Sequence, residues 1–212
     1  MKAIGLFLFL ILCVGCEKCP EKVPPFTWQE FKGRDEVIAY GQRVRRPVYR
    51  AQVPIGWQRI DPKENESILD TKKPIVSFTI DEGVVLMVHT FPTHSLEERI
   101  PPEAQVQRWQ EQLKGMATHV TQVAHGDFAG LYLEGFTEKG AVRAWSLQLD
   151  MQHYQTLHFL ATTVEEEEHY QQMAADYTLK VFGPSDKLDK HRIAIDLFAN
   201  SFELLQEIPS RS

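Results

Sequence analysis

The sequence predicts an α+β fold, an antiparallel β-sheet of about six to seven strands with helices packed against it. Short runs of alternating apolar and polar residues, each closed by turn residues, follow one another without intervening helices over 75–89 and again over 120–150. Consecutive strands of that kind pair as hairpins and meanders, so the sheet is antiparallel. Two stretches with apolar residues at helical spacing, after Pro102 and after Thr163, each present one apolar stripe that a sheet face must cover. No repeat or low-complexity tract divides the chain, and residues 48–206 read as a single domain with 207–212 as a tail.

Ahead of that domain, Lys2 precedes an apolar core, Ile4 to Val14, broken only by Gly5. The core is shorter than the roughly 20 residues a bilayer span requires and has the length of a signal-peptide core. Leu12-Cys13-Val14-Gly15-Cys16 resembles the lipobox of bacterial lipoproteins, with Cys13 standing where that motif usually carries Leu, Val or Ile. The resemblance implies that residues 1–15 are a signal peptide. It also implies that the Cys16 thiol takes a diacylglyceryl group and palmitate as a lipid anchor, and that the protein works in the cell envelope, periplasmic or surface-facing. Each buried methylene contributes about 0.8 kcal/mol, so two or three chains hold a domain stably to a membrane it does not enter.

Residues 16–47 read as the tether. Pro20, Pro24 and Pro25 favour an extended spacer. Thr27-Trp28-Gln29-Glu30 has capping-box spacing and predicts a short helix carrying Trp28 and Phe31, packed on the domain or presented to a partner. Arg43, Arg45 and Arg46 form a basic run ahead of Pro47, a solvated face or a contact for anionic headgroups. Of the three cysteines, Cys13 leaves with the signal and Cys16 carries lipid, which leaves Cys19 for an intermolecular disulfide, a further acylation or neither. The chain carries a net charge of −6, about −7 once residues 1–15 with their single Lys are removed, which speaks against general nucleic-acid binding.

In the domain, Tyr49 to Val53 reads as a strand and Val53-Pro54-Ile55-Gly56-Trp57 as a turn with an aromatic closing a core edge. A polar loop holds Asn65-Glu66-Ser67, a sequon without meaning behind a bacterial export signal. Ile75 to Ile80 and Val84 to His89 form a hairpin about Asp81-Glu82-Gly83. His89 and His94 lack a third ligand at a recognisable spacing, so no metal is assigned to them. Pro102 starts an amphipathic helix through Lys114 with Val106, Trp109, Leu113 and Met116 on one side and Gly115 as its stop. Val120 to His125, Phe128 to Thr137 and Ala141 to Asp150 read as a meander, with one face of the last strand buried and the other wet or partly covered. His153 to Thr163 reads as its fourth strand, with His153 and His158 on opposite faces. Thr163 and Glu166 form a capping box for a helix running to Gly183-Pro184, and the acids 165–168 complement its N-terminus. A last helix spans Lys187 to Gln206.

Taken together, the 53–57 turn, the helix after Pro102, the meander ending in Leu157 to Thr163 and a final helix with Ala199-Asn200-Ser201-Phe202 resemble the Mog1/PsbP-like fold. The resemblance implies a scaffold used mainly for protein contacts, found also in uncharacterised bacterial lipoproteins, and it transfers no functional residue.

The chain has no Gly-x-Ser-x-Gly elbow, no His-Glu-x-x-His, no phosphate-cradling glycine loop and no cysteine in the folded part as a nucleophile. These observations predict a membrane-anchored, non-catalytic protein-interaction module without cofactor or metal. Trp28, Trp57, Trp109 and Trp145 are its candidate partner or ligand surface. The alternatives are a carrier of a small apolar ligand or metal ion, held between the sheet and a helix, and an envelope enzyme whose groups assemble only in space.

Overall fold

The computed structural model describes residues 22–63, 70–114, 116, 118–138 and 140–209. Residues 1–15, expected to be a signal peptide, and Cys16, Cys19, the 65–67 sequon and Gly115 lie outside the described residues. From the N-terminus come β1 (Phe26–Lys32), β2 (Val37–Ala39), β3 (Gln42–Val44), β4 (Pro47–Pro54), β5 (Gln58–Ile60), β6 (Val76–Asp81) and β7 (Val84–Phe91). Helix α1 (Pro102–Gln112) leads to β8 (Thr118–His125), β9 (Phe128–Thr137) and β10 (Gly140–Leu149). Then follow α2 (Met151–Leu160), α3 (Val164–Met173), β11 (Asp176–Gly183), α4 (Ser185–Lys190), α5 (Arg192–Ser201) and β12 (Glu203–Leu204).

The fold is α+β. Seven strands form one sheet in the order β5-β6-β7-β11-β10-β9-β8, with every neighbouring pair antiparallel. A second sheet, β1-β4-β12, lies with α5 over one face of the first. That inner face is filled with aromatic side chains. Phe198 of α5 meets Phe31 at 6.1 Å and Phe78 at 5.3 Å, and Phe202 stacks on Tyr49 at 5.3 Å. Each such pair contributes about 0.5–1.5 kcal/mol beyond the area it buries.

Four segments depart from the sequence-based expectations. Residues 27–31 are a strand, because β1 pairs along β4 with Phe31 opposite Tyr49, both buried in the core. That long-range pairing outweighs a four-residue capping signal. Arg34 is buried beside it and donates to the carbonyls of Thr90, Asp70 and Lys73, so the packed part of the chain starts at Phe26, well before Val48. Residues 151–160 are helical: the Asp150 carboxylate accepts from the backbone amides of Gln152 and His153, and Tyr154 and Leu157 are buried three apart. The pattern around Leu157 fits either period, and the cap decides it.

Residues 176–183 are a strand, since Tyr177, Leu179 and Val181 are all fully buried at a spacing of two. The capping box at Thr163 and Glu166 forms, but its helix stops at Met173. Finally, the C-terminal helix breaks at His191 into α4 and α5. Strand β10 is buried on both faces, because α1 covers the side expected to be wet or partly covered. Among the described residues no helix is long and apolar enough to cross a membrane.

Candidate functional site

The candidate site lies on the outer face of the seven-stranded sheet. Pro102 at the first turn starts α1, whose Val106 and Trp109 pack on Leu133, Val142 and Ala144. Small residues beneath set how closely the helix approaches: a Cβ on Gly135 would come within 2.8 Å of the Leu113 side chain. The helix covers β9 and β10 and reaches β8, where Gln110 donates to Thr118 and Val120 packs against the same cluster. Beyond it, on β7 and β11, Met87, Lys180 and Phe182 belong to the same face and stay partly exposed, Phe182 at 42%.

Helix and uncovered strands bound an apolar cleft of about 570 Å³. Trp109, Leu113, Leu133, Val142 and Phe182 form its walls, Ala144 and Met87 contribute to its floor, and Gln112 and Thr137 supply polar atoms. Gly140, at φ 144°, lets the β9–β10 turn close over the Gly183 carbonyl at one end. Lys180 is the single ionisable side chain among the described lining residues, and burial lowers its pKa from the ordinary lysine range.

Farther along the same face, between Arg108 of α1 and Thr178 of β11, lies a second concavity of about 280 Å³ with a polar floor. Its Asp176 carboxylate is held by the Arg99 guanidinium at 2.6 Å and accepts from the Gln148 amide at 3.0 Å. Burial nonetheless pushes the Asp176 pKa upward, because desolvation outweighs these donors. Arg99 also lies 4.5 Å over the Tyr154 ring and donates to the Leu149 carbonyl, which makes the cluster a strut between the 96–99 turn, β10 and β11.

The four tryptophans occupy four different environments. Trp28 is half exposed on β1 with the Arg50 guanidinium 5.1 Å over its ring. Trp57 is partly buried between Phe78 and Phe198, at 5.7 and 5.6 Å. Trp145 is buried on the inner face, 4.8 Å from Tyr132. Trp109 alone among them lines the cleft.

His89 contacts the Lys72 carbonyl and His94 the Gln171 amide, so different neighbours hold them. His153 lies 3.5 Å from Asp127, whereas the His158 ring packs at a tilt against Tyr154. Within the acidic run, Glu166 closes the helix cap, and Glu168 binds the Ile38 amide and Arg43. Among the described residues no group of three or more His, Cys, Asp or Glu is placed to hold a metal ion. Lys180 is hidden from sequence reasoning because its segment fits a helix as well as a strand; the apolar spacing of two at Tyr177, Leu179 and Val181 is the one strand signal there, and it does not decide between them.

No protein-family model and no curated protein sequence matches the chain. Among solved structures, cyanobacterial PsbP (CyanoP) from Synechocystis sp. PCC 6803 is similar at 14% identity, over 74% of this chain and 86% of that one, with a TM-score of 0.40. LpqN, described as involved in cell envelope biogenesis of Mycobacterium tuberculosis, is similar at 13% identity, over 84% of this chain and 91% of that one, with a TM-score of 0.44. Likeness at this level concerns general architecture and assigns no site.

Proposed function

We propose that the chain is a non-catalytic binding module of the cell envelope, tethered to a membrane through lipid on Cys16, and that it binds its ligand in the cleft beside α1. The cleft is the observation that carries this reading. It is concave, predominantly apolar and about 570 Å³, within the range of roughly 300–1,000 Å³ common for small-molecule sites. Its concave shape supports a carrier of a small ligand over a flat contact face.

Two experiments test the two halves of the proposal. Intact mass and detergent partitioning of the wild type beside Cys16→Ser examine the anchor: lipid mass and detergent partitioning in the wild type alone are expected, and equal solubility of both proteins overturns it. Binding of the neutral dye Nile red to the soluble Cys16→Ser protein and to the same protein with Met87→Trp examines the cleft. The larger side chain occupies the cleft floor, so at least about fivefold weaker dye binding is expected. Equal binding, or none to either protein, overturns the cleft as a binding site.

A second reading, contact with a protein partner, draws on β1. This strand lies at the edge of the small sheet, and Phe26, Trp28 and the neighbouring Ile55 are 39%, 50% and 65% exposed. In membrane-anchored protein, a crosslinked partner lost on Trp28→Ala supports this reading, and a crosslink that survives the change sinks it.

A further inference from the structure

Lys180 gives the cleft a chemical preference. On β11 it faces Met87 of β7 and Ala144 of β10 directly, with Phe182 following on the same face, so its aliphatic stem lies among apolar groups. It makes no hydrogen bond or ion pair among the described residues, and no carboxylate lines the cleft beside it. His89, on the adjacent β7, has its pKa lowered first by burial and to a smaller degree by the charges of Arg34 and Lys180. An ammonium that is partly desolvated and lacks a counter-ion is unfavourable, and an arriving anion relieves that cost. The walls of Trp109, Leu113, Leu133 and Phe182 meanwhile offer apolar surface to a chain.

We propose that the cleft binds a single-chain anionic amphiphile, a free fatty acid, with its alkyl chain against Trp109, Leu113 and Leu133 and its carboxylate on the Lys180 ammonium. This rests on the cleft reading above and adds the class of ligand to it. The neutral wall residues account for the chain, and the unpaired ammonium accounts for the carboxylate. A hydrocarbon or alcohol of equal length satisfies the first and leaves the second unmet. A cleft of about 570 Å³ suits one chain better than the two of a bilayer phospholipid.

Calorimetric titration of the full chain carrying Cys16→Ser with laurate and with dodecanol, both below their self-association concentrations, tests the inference. Laurate is expected to bind about tenfold tighter than dodecanol or better. Adding Lys180→Met is expected to bring the two ligands to equal affinity, and adding Lys180→Arg to keep the preference for laurate. Equal binding of laurate and dodecanol without the lysine change removes Lys180 as the head-group contact while the cleft stands. Nile red binding without binding of either chain rejects the ligand class, and loss of dye binding as well rejects the cleft itself. Lysine-dependent sedimentation with phosphatidylglycerol vesicles, without laurate binding, overturns a free acid in favour of a membrane lipid.

Discussion

The two faces of the seven-stranded sheet share their strands and differ in what covers them. On the inner face, Leu86, Leu147, Leu179 and Phe78 are sealed beneath α5 and the small sheet, and Phe198 and Phe202 interlock with Phe31 and Tyr49. On the outer face α1 seals Leu133, Val142 and Ala144, while Met87, Lys180 and Phe182 keep contact with solvent. The inner face therefore supplies most of the stabilising burial. The outer face forgoes part of it, and what it leaves open is the apolar cleft beside α1.

This contrast makes ordered predictions. Phe198→Ala removes the centre of the inner cluster and is expected to cost about 3–5 kcal/mol in chemical denaturation. A loss below about 1 kcal/mol would break the contrast at its stronger side. Phe182→Ala, on the half-open wall, is expected to cost no more than about 1 kcal/mol, and a loss near that of Phe198→Ala would show the outer face to be as structural as the inner.

Lys180→Met sharpens the same point with the opposite sign. It replaces an unpaired, partly desolvated ammonium by an apolar chain and is expected to leave stability unchanged or raise it by up to about 1 kcal/mol, discounted for the solvent Lys180 still meets. A clear loss in the same denaturation experiment would mean that the ammonium has a structural partner.

The smallest expected effect lies at the rim shared by both faces. Asp81 accepts from His191 at 3.0 Å and from Lys190 at 3.1 Å, and these donors, His191 first, hold its carboxyl well below the ordinary carboxylate range. A carboxyl depressed in the folded state stabilises above its unfolded pKa, and that contribution is lost as pH falls through the ordinary carboxylate range and below. Asp81→Asn is therefore expected to lower stability slightly at neutral pH and to converge with the wild type at low pH, which flattens the acid limb of the stability profile. An unaltered acid limb would remove this contact from the account.

Much of this architecture is legible in the chain. β4, β6, β7, β8, β9 and β10 show as alternation closed by turns, and α1 shows through Pro102 with Val106 and Trp109 at helical spacing. The exchange of α2 and β11 was not legible, because short apolar runs such as those around Leu157 and Leu179 fit both periods and tertiary placement chose between them. The same holds for Thr27 to Phe31, where pairing with β4 overrode a local cap. Of the site, Trp109 was visible as part of a stripe. Lys180 was not, since its place depends on β11 entering the sheet and on α1 stopping short of it.

β11 joins the sheet between β7 and β10, so the strand that links its two halves is almost the last to leave the ribosome. The segments β5–β7 and β8–β10 can each form local antiparallel contacts beforehand, but the barrier to closing the whole includes ordering a long intervening chain. Folding to completion is thereby deferred until residues 176–183 are available, so the two halves of the sheet wait as separate hairpins for the strand that joins them.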